Sequence, residues 1–551
     1  MFAMENLKVS RLDHLGIVSG VIDDLGLVQA IDARLQKDKN GLEEITPGEA
    51  IKGMILNGLG FISKPLSLTP RFFQNKPLEL LFRAGVKADD FNRFKLGRTL
   101  EHVFEYGTDK LFSELSFNVC LKENVDQRFN SEDTTTFSVT GESYPDSDEH
   151  AVSVTHGYSK DHRPDLKQVV HELMVSQDGG VPLLMKTWSG NESDTVIFRE
   201  RTQALVEQFG ESELARYLIA DSKLYDSGNA PHLSGLRFIT RIPSTLKQER
   251  AVISEALVSD HWQRIDDDHR YFCKVLTHYD MKQRWLVVQS RGALMRVEKT
   301  ISKRVLKEHE ELTARLKKLG LTPFACKEDA AFAFKKMSKG VRYHDIELVE
   351  INELPHYAGK GRPKKEALPE RIDYHTETIL KKNEKAIESA KEQGSCYVIG
   401  TNIEAIELSD QDVISAYKGQ NTSIENKGFR FLKDALFFTS SLFIKKPSRI
   451  MGLLFIMTLS LLVYSIAQRR LRNNLAEQSE VLPNQINLPS KQPTLRWVFQ
   501  LMEGVNLVEI LIHGVCTRLI DGLCDLKRKI IGLFGETVRN IYIQSASLGV
   551  S

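Results

Sequence analysis

Two aspartates at the ends of apolar, strand-like runs, and one glutamate far downstream, are the residues best suited to chemistry. Asp133 closes the run Arg128-Phe-Asn-Ser-Glu-Asp133 and opens Asp133-Thr-Thr-Thr-Phe-Ser-Val. Asp221 follows Tyr217-Leu-Ile-Ala. Glu425 stands in Tyr417-Lys-Gly-Gln-Asn-Thr-Ser-Ile-Glu425-Asn-Lys-Gly-Phe-Arg430-Phe-Leu-Lys433. Three carboxylates on rigid elements can hold two divalent ions about 4 Å apart, an arrangement suited to in-line attack on phosphodiesters. Each residue also has a bland reading. Asp133 can be a strand-end carboxylate satisfied by Thr135 or a backbone amide. Asp221 can cap a helix starting at Lys223. Thr422-x-x-Glu425 matches a capping box. Two further glutamates, Glu404 and Glu407, compete with Glu425 as the third ligand. Order and context, rather than any single residue, favour the metal reading.

The elements that must position these groups follow from hydrophobic period. Residues 1–125 read as a helical domain. Its clearest start is Thr46-Pro-Gly-Glu, an N-cap threonine with proline at N1, and its expected role is contact with DNA ends or dimerisation. From about residue 128 the period becomes two. Gln168 to Ser176 and Val181 to Trp188 flank Asp178-Gly-Gly and read as a hairpin. A helix from Ser193 to Phe209 follows, then the short strand ending at Asp221 and another at Leu236-Arg-Phe-Ile-Thr-Arg. Hairpin, helix, strand, strand is the layout of a ribonuclease-H-like mixed sheet.

Residues 126–472 are therefore expected to form an α/β catalytic domain, interrupted by an α+β insertion at about 245–392. The insertion carries a hairpin around Tyr271 and Trp285, a charged helix from Val297 to Lys318, and a basic loop, Arg362-Pro-Lys-Lys365. The core is expected to resume with the strand Ser395 to Asn402. Residues 473–551 read as a linker and a helical C-terminal tail.

Composition sets limits. At 551 residues the chain exceeds a single core. Its net charge of +1 gives no global basic field, so any nucleic-acid contact must come from local patches. Candidates are Arg362 to Lys365, Lys445-Lys446 with Arg449, and Arg469-Arg470 with Arg472. Six scattered cysteines argue against a disulfide scaffold and fit a reducing cytoplasm. The N-terminus lacks the basic-then-apolar pattern of a signal peptide. Ile450 to Ala467 is uncharged and long enough for a thin membrane span. An all-round apolar helix is also the pattern of a central core helix, and that is the reading adopted here, with no membrane partner.

Taken together, Asp133-Thr-Thr-Thr-Phe-Ser-Val, His156-Gly-Tyr-Ser-Lys160-Asp-His162-Arg163-Pro-Asp-Leu-Lys-Gln, Gly190-Asn-Glu-Ser-Asp, Ala220-Asp-Ser-Lys-Leu-Tyr and the segment around Glu425 resemble the DDE transposases of bacterial insertion sequences. The branch has a long insertion before the glutamate. The resemblance implies a ribonuclease-H-like fold and two magnesium ions, with manganese as a substitute, held by Asp133, Asp221 and Glu425. It implies cleavage of element ends and transfer of the 3′-hydroxyl to target DNA. It also implies double-stranded DNA partners (terminal inverted repeats and target) and a homodimer in the synaptic complex, acting in the bacterial cytoplasm at the nucleoid. The family's signature around the glutamate is Tyr-x2-Arg-x3-Glu-x6-Lys. Here Gln420 stands at the arginine position, Glu425 comes one residue late, and Lys433 is also one late. Lys160, His162, Arg163, Tyr417, Arg430 and Lys433 are the expected DNA contacts. The competing functions are a metal-dependent nuclease of the same fold without strand transfer, and a catalytically decayed DNA-binding remnant.

Overall fold

The computed structural model describes residues 6–35, 44–61, 65–141, 143–144, 148–209, 216–358, 368–434, 444–512 and 515–543. The basic loop around Arg362 lies outside them. The chain divides into two compact units, one formed by Met1–Thr240 with Asp412–Ser551 and the other by Arg241–Gln411. This differs from the sequence-based division. Residues 1–125 and 473–551 are not separate bodies but belong to the unit that carries Asp133 and Asp221.

The reason is a single shared core. Helices at Leu15–Leu25, Pro47–Leu59, Arg93–Tyr106 and Thr108–Lys122 build the N-terminal part. Thr46 caps the second of these: its hydroxyl accepts from Glu49 N at 3.1 Å, and the Glu49 carboxylate accepts from Thr46 N at 2.9 Å. The apolar faces of these helices join residues of the sheet, the Pro447–Glu477 helix and the C-terminal helices in one continuous cluster. A strand not anticipated in the N-terminal region, β1 (Asn6–Arg11), pairs antiparallel with Asn506–Ile512, which in turn pairs with Val515–Asp521. The tail is thus a hairpin with flanking helices rather than purely helical. Residues 473–477 finish the long helix instead of starting a linker.

The first unit's sheet contains β2 (Phe129–Val139), β3 (Lys167–Ser176), β4 (Pro182–Trp188), β5 (Tyr217–Ala220) and β6 (Arg237–Arg241), in the order β4-β3-β2-β5-β6. β2–β3 and β3–β4 are antiparallel, whereas β2–β5 and β5–β6 are parallel. Only β3 runs against the rest. A parallel neighbour cannot be reached by a tight turn, so the chain crosses from β4 to β5 through the helix Asp194–Phe209.

The second unit holds β7 (Gln263–Arg264), β8 (His269–His278), β9 (Met281–Ser290), β10 (His344–His356), β11 (Arg371–Lys382) and β12 (Cys396–Thr401). β10 and β11 form a long two-stranded ribbon. The 31-residue helix Arg291–Leu321 buries Ile301 and Val305 against Tyr343 and Ile387. β12 forms where the sequence placed a strand, and it pairs antiparallel with β9.

The apolar run that mimics a membrane span is the middle of the helix Pro447–Glu477, and 83% of its most apolar window is buried within the protein. Phe455 meets Phe112 edge to face, with ring centroids 6.3 Å apart. At Gly452 a Cβ would lie 2.7 Å from the carbonyl oxygen of Leu100, so only glycine allows this approach. Four of the flanking cations, which resemble membrane-flanking charges, are ion-paired inside the protein. Lys446 and Arg449 both reach Glu101, at 2.5 and 3.2 Å. Arg469 pairs with Asp178 at 2.8 Å, and Arg470 with Asp24 and Glu123 at 2.6 and 2.5 Å. These four side chains are committed to internal structure rather than offered to phosphates. Leu459, fully buried in this helix, should lose about 2–5 kcal/mol of unfolding free energy on substitution by alanine, measured by denaturant titration. The wild-type chain should stay in the supernatant after alkaline carbonate washing, and recovery with the membranes would contradict a core role for this helix.

Candidate functional site

Parallel pairing of β2 with β5 sets Glu132 opposite Ala220. The next residues in each strand direction are Asp133 and Asp221, so the two aspartates stand side by side; Asp221 directly follows β5, whereas Asp133 lies inside β2, which runs on to Val139 and does not end there as the sequence suggested. Adjacent strands are about 4.8 Å apart, and the two carboxylates feel each other. Burial first, then the Asp221 charge acting against the pull of Lys160, pushes Asp133 up to about 7. Burial also raises Asp221 above the usual carboxylate range. Each side chain accepts one backbone amide, Thr134 N on Asp133 at 2.7 Å and Lys223 N on Asp221 at 2.8 Å. The bland readings thus hold in part, as turn-forming bonds. No helix begins at Lys223.

Two residues converge on this pair from loops. Lys160 Nζ donates to Thr134 O at 2.8 Å and lies 3.3 Å from Asp194 Oδ1 and 3.8 Å from Asp133 Oδ1. Asp194, at the start of the crossover helix, accepts from Thr134 Oγ1 at 2.6 Å. Backbone packing explains how they arrive. A Cβ at Gly157 would lie 2.0 Å from Gly190 O, and one at Gly190 would lie 2.0 Å from Gln168 O. Only glycine permits that contact. The Gln168 amide then ties both loops to β3, donating to Gly190 O and Tyr158 O at 2.8 and 3.2 Å. The sequence strings around His156 and Gly190 are therefore two halves of one device that delivers Lys160 and Asp194 beside Asp133. Asp194 was legible only as a helix-start residue.

Alternation along β2 sends Glu132 to the opposite face. It is fully buried, and among the described residues neither of its carboxylate oxygens has a hydrogen-bond partner. Burial and the nearby Glu172 raise its pKa well above the ordinary value. Glu172 accepts from Trp188 Nε1 at 2.7 Å and pairs with Arg201 of the crossover helix. Sequence reading singled out none of these buried groups, although the period of two in β2 already separates Glu132 from Asp133.

Glu425 lies in a π-helix, Asn421–Phe429, that continues directly from the helix Asp410–Gln420. It does not open a helix, and Thr422 forms no capping box, which corrects both local expectations. The segment is anchored on the sheet. Gln420 Nε2 donates to Glu132 O at 3.3 Å, Ser423 Oγ to Ser131 Oγ at 3.3 Å, and a Cβ at Gly428 would sit 3.0 Å from Leu173 Cδ2. Ser423, Ile424 and Gly428 are buried, and Glu425 is exposed. Among the described residues, no three His, Cys, Asp or Glu side chains are gathered so as to hold a metal ion. The fold brings Asp133 and Asp221 together but does not close a three-carboxylate cluster with Glu425.

The expected DNA contacts are scattered. Lys160 is engaged between carboxylates. His162 is exposed, with a left-handed φ of 58°. Arg163 pairs with Asp165 at 2.8 Å. Tyr417 is half-buried, and Arg430 is exposed. Lys433 pairs with Asp161 at 2.6 Å, joining the stretch after Glu425 to the Lys160 loop.

Because Asp133 titrates higher in the folded protein than in the unfolded chain, its favourable contribution is complete below about pH 4 and lost as pH rises through about 7. In chelator, Asp133→Asn should therefore raise Tm by a few °C at pH 8, and the gain should shrink toward pH 5. An equal Tm change at both pH values in thermal melts would contradict this.

The family model described as "Domain of unknown function (DUF4277)" matches residues 7–117, a span that ends before Asp133. No curated protein matches the chain. Among solved structures, the chain is similar to the cryo-EM structure of a piggyBac transposase synaptic complex with hairpin DNA. Identity is 8%, the match covers 90% of this chain and 82% of that one, and the TM-score is 0.37, below the range in which a common fold follows.

Proposed function

We propose that the chain is a DDE-type DNA transposase built on a ribonuclease-H-like core. It would cut the ends of an insertion element and transfer the exposed 3′-hydroxyl to target DNA. The observation that carries this reading is the placement of Asp133, inside β2, beside Asp221, which directly follows the adjacent parallel strand β5. The strand order, with β3 alone reversed, supports the same fold.

Two magnesium ions, with manganese as a substitute, are the proposed cofactors. When bound, such ions activate a hydroxyl nucleophile and stabilise the leaving oxygen of a phosphodiester. The residues fit them in part. Asp133 and Asp221 repel each other without a cation, and Lys160 lies between the Asp133 and Asp194 carboxylates as a monovalent substitute. Asp133 and Asp221 would be the first two ligands and Glu425 the third. Lys160, displaced from the carboxylates, would be free to contact a substrate phosphate.

The π-helix supports Glu425 despite its late position. In the family's spacing, seven α-helical steps of about 100° separate tyrosine from glutamate. Here three such steps from Tyr417 are followed by five i→i+5 steps of roughly 80°. The two sweeps end at nearly the same angle around the helix axis. The additional residue is absorbed by wider winding, and Glu425 leaves the helix in the direction a regular spacing would give. Double-stranded DNA is the proposed partner, and a homodimer would bring two element ends together.

Asp133→Asn and Asp221→Asn should each abolish magnesium-dependent cleavage of element-end DNA by at least about a hundredfold, because an amide lacks the charge needed to hold the ion. DNA binding in gel shifts should be nearly unchanged. Joining of a cleaved 3′-end to a second duplex separates a transposase from a nuclease of the same fold, which would only cut. Full cleavage by either variant would remove that residue from the site.

A further inference from the structure

The described part of the first unit contains a second cluster of charge that the carboxylate site does not use. A cavity of about 370 Å³ is lined by Lys427, Arg430, Arg472 and Arg496, with Gln468 and Tyr464 in its wall. Lys427 belongs to the π-helix and Arg430 begins the turn after it; Arg472 comes from the long apolar helix and Arg496 from the helix Leu495–Leu501. Four cations from three segments of the chain thus face one space, with Asp434 the single acid in the lining.

Pairing within the cavity is incomplete. Arg496 Nη1 binds Asp434 at 3.0 Å. Arg472 Nε donates only to a neutral carbonyl, Pro493 O at 3.1 Å, and Lys427 Nζ reaches Gly179 O at 3.5 Å. Arg430 makes no ion pair among the described residues. Burial, then the neighbouring Arg472, lowers the pKa of Lys427, and burial lowers that of Arg472. Charges desolvated without partners are costly unless a counter-ion completes them. The wall also supplies a donor. Gln468 Oε1 accepts from Leu495 N at 3.0 Å, which leaves its amino group free for an acceptor. Guanidinium forks matched by an amide donor suit a tetrahedral oxyanion better than a halide.

We propose that this cavity binds a phosphate group, and that the group belongs to a nucleic-acid backbone. The choice of nucleic acid over a free phosphate rests on the transposase reading, since Lys427 and Arg430 lie on the same rigid segment as Glu425. The cavity would then grip the strand whose neighbouring phosphate faces the carboxylates.

The test uses the full chain without divalent metal, so that no chemistry is needed. One arm follows inorganic phosphate and tripolyphosphate by 31P line broadening and thermal shift. The other follows a 30-base-pair duplex by fluorescence anisotropy across a KCl series. Arg472→Gln, Arg496→Gln and the double variant are compared with wild type. Arg430→Gln, at an exposed side chain, keeps the test open if the variant at half-buried Arg472 fails to fold. Each substitution is expected to weaken binding in the phosphate arm and to reduce the slope of log K against log[KCl] by about one. The double variant should bind duplex about tenfold more weakly at low salt. Loss in the phosphate arm with an unchanged DNA slope would overturn the nucleic-acid assignment. No change in either arm, or binding by wild type only at phosphate levels that act equally on the variants, would overturn the site. Cleavage with Asp133 intact is measured separately, so failure of the cavity and failure of the carboxylate reading are distinguishable.

Discussion

The parallel pairing of β2 with β5 is the constraint from which the site follows. It costs a crossover, because strands running the same way cannot be joined by a tight turn. It brings two like charges within each other's field, one inside β2 and one just past the end of β5. The crossover helix is then used twice: its first residue, Asp194, reaches Thr134 and Lys160, while Arg201 on its inner face neutralises Glu172 beneath the sheet. A connection demanded by topology thereby supplies the polar partners that a buried strand carboxylate requires.

Much of this sheet is legible in the sequence, because its signals are local. The Asp178-Gly-Gly turn between two apolar runs marks the β3–β4 hairpin, Ser193-Asp194 marks the helix start, and Tyr217 to Ala220 is a short buried run closed by a polar residue. What is not legible depends on contacts distant in sequence. Nothing near Lys160 announces that Gly157 and Gly190 interlock, or that Thr134 will receive both loops. The π-helix is invisible to periodicity, because a nine-residue segment spans only about two turns, too few to tell its winding from that of an α-helix. β1 lies in a region otherwise helical, and only its partner at Asn506–Ile512 makes it a strand.

The helix Pro447–Glu477 shows why composition alone misleads about surroundings. Its apolar girth matches a lipid environment, yet each side is filled by helices or sheet, and the charges at both ends are held by carboxylates on neighbouring elements. A helix with no polar face must sit where there is no water on any side, and the centre of a large unit meets that demand as well as a bilayer does.

The beginning and end of the described chain are locked together. Leu12 N and Asp13 N both donate to Val505 O, Gly504 N donates to Asp13 Oδ1 at 2.8 Å, and the Tyr542 hydroxyl donates to Asp13 O while accepting from Ile17 N at 3.2 Å. These partners are separated by roughly five hundred residues of chain. During synthesis, the helix Leu15–Leu25 emerges from the ribosome long before the strand and tyrosine that cover it. Its apolar surface stays uncovered until the residues from Gly504 to Tyr542 have been made. A polypeptide lacking residues 504–542 would leave that surface without its covering strand and tyrosine.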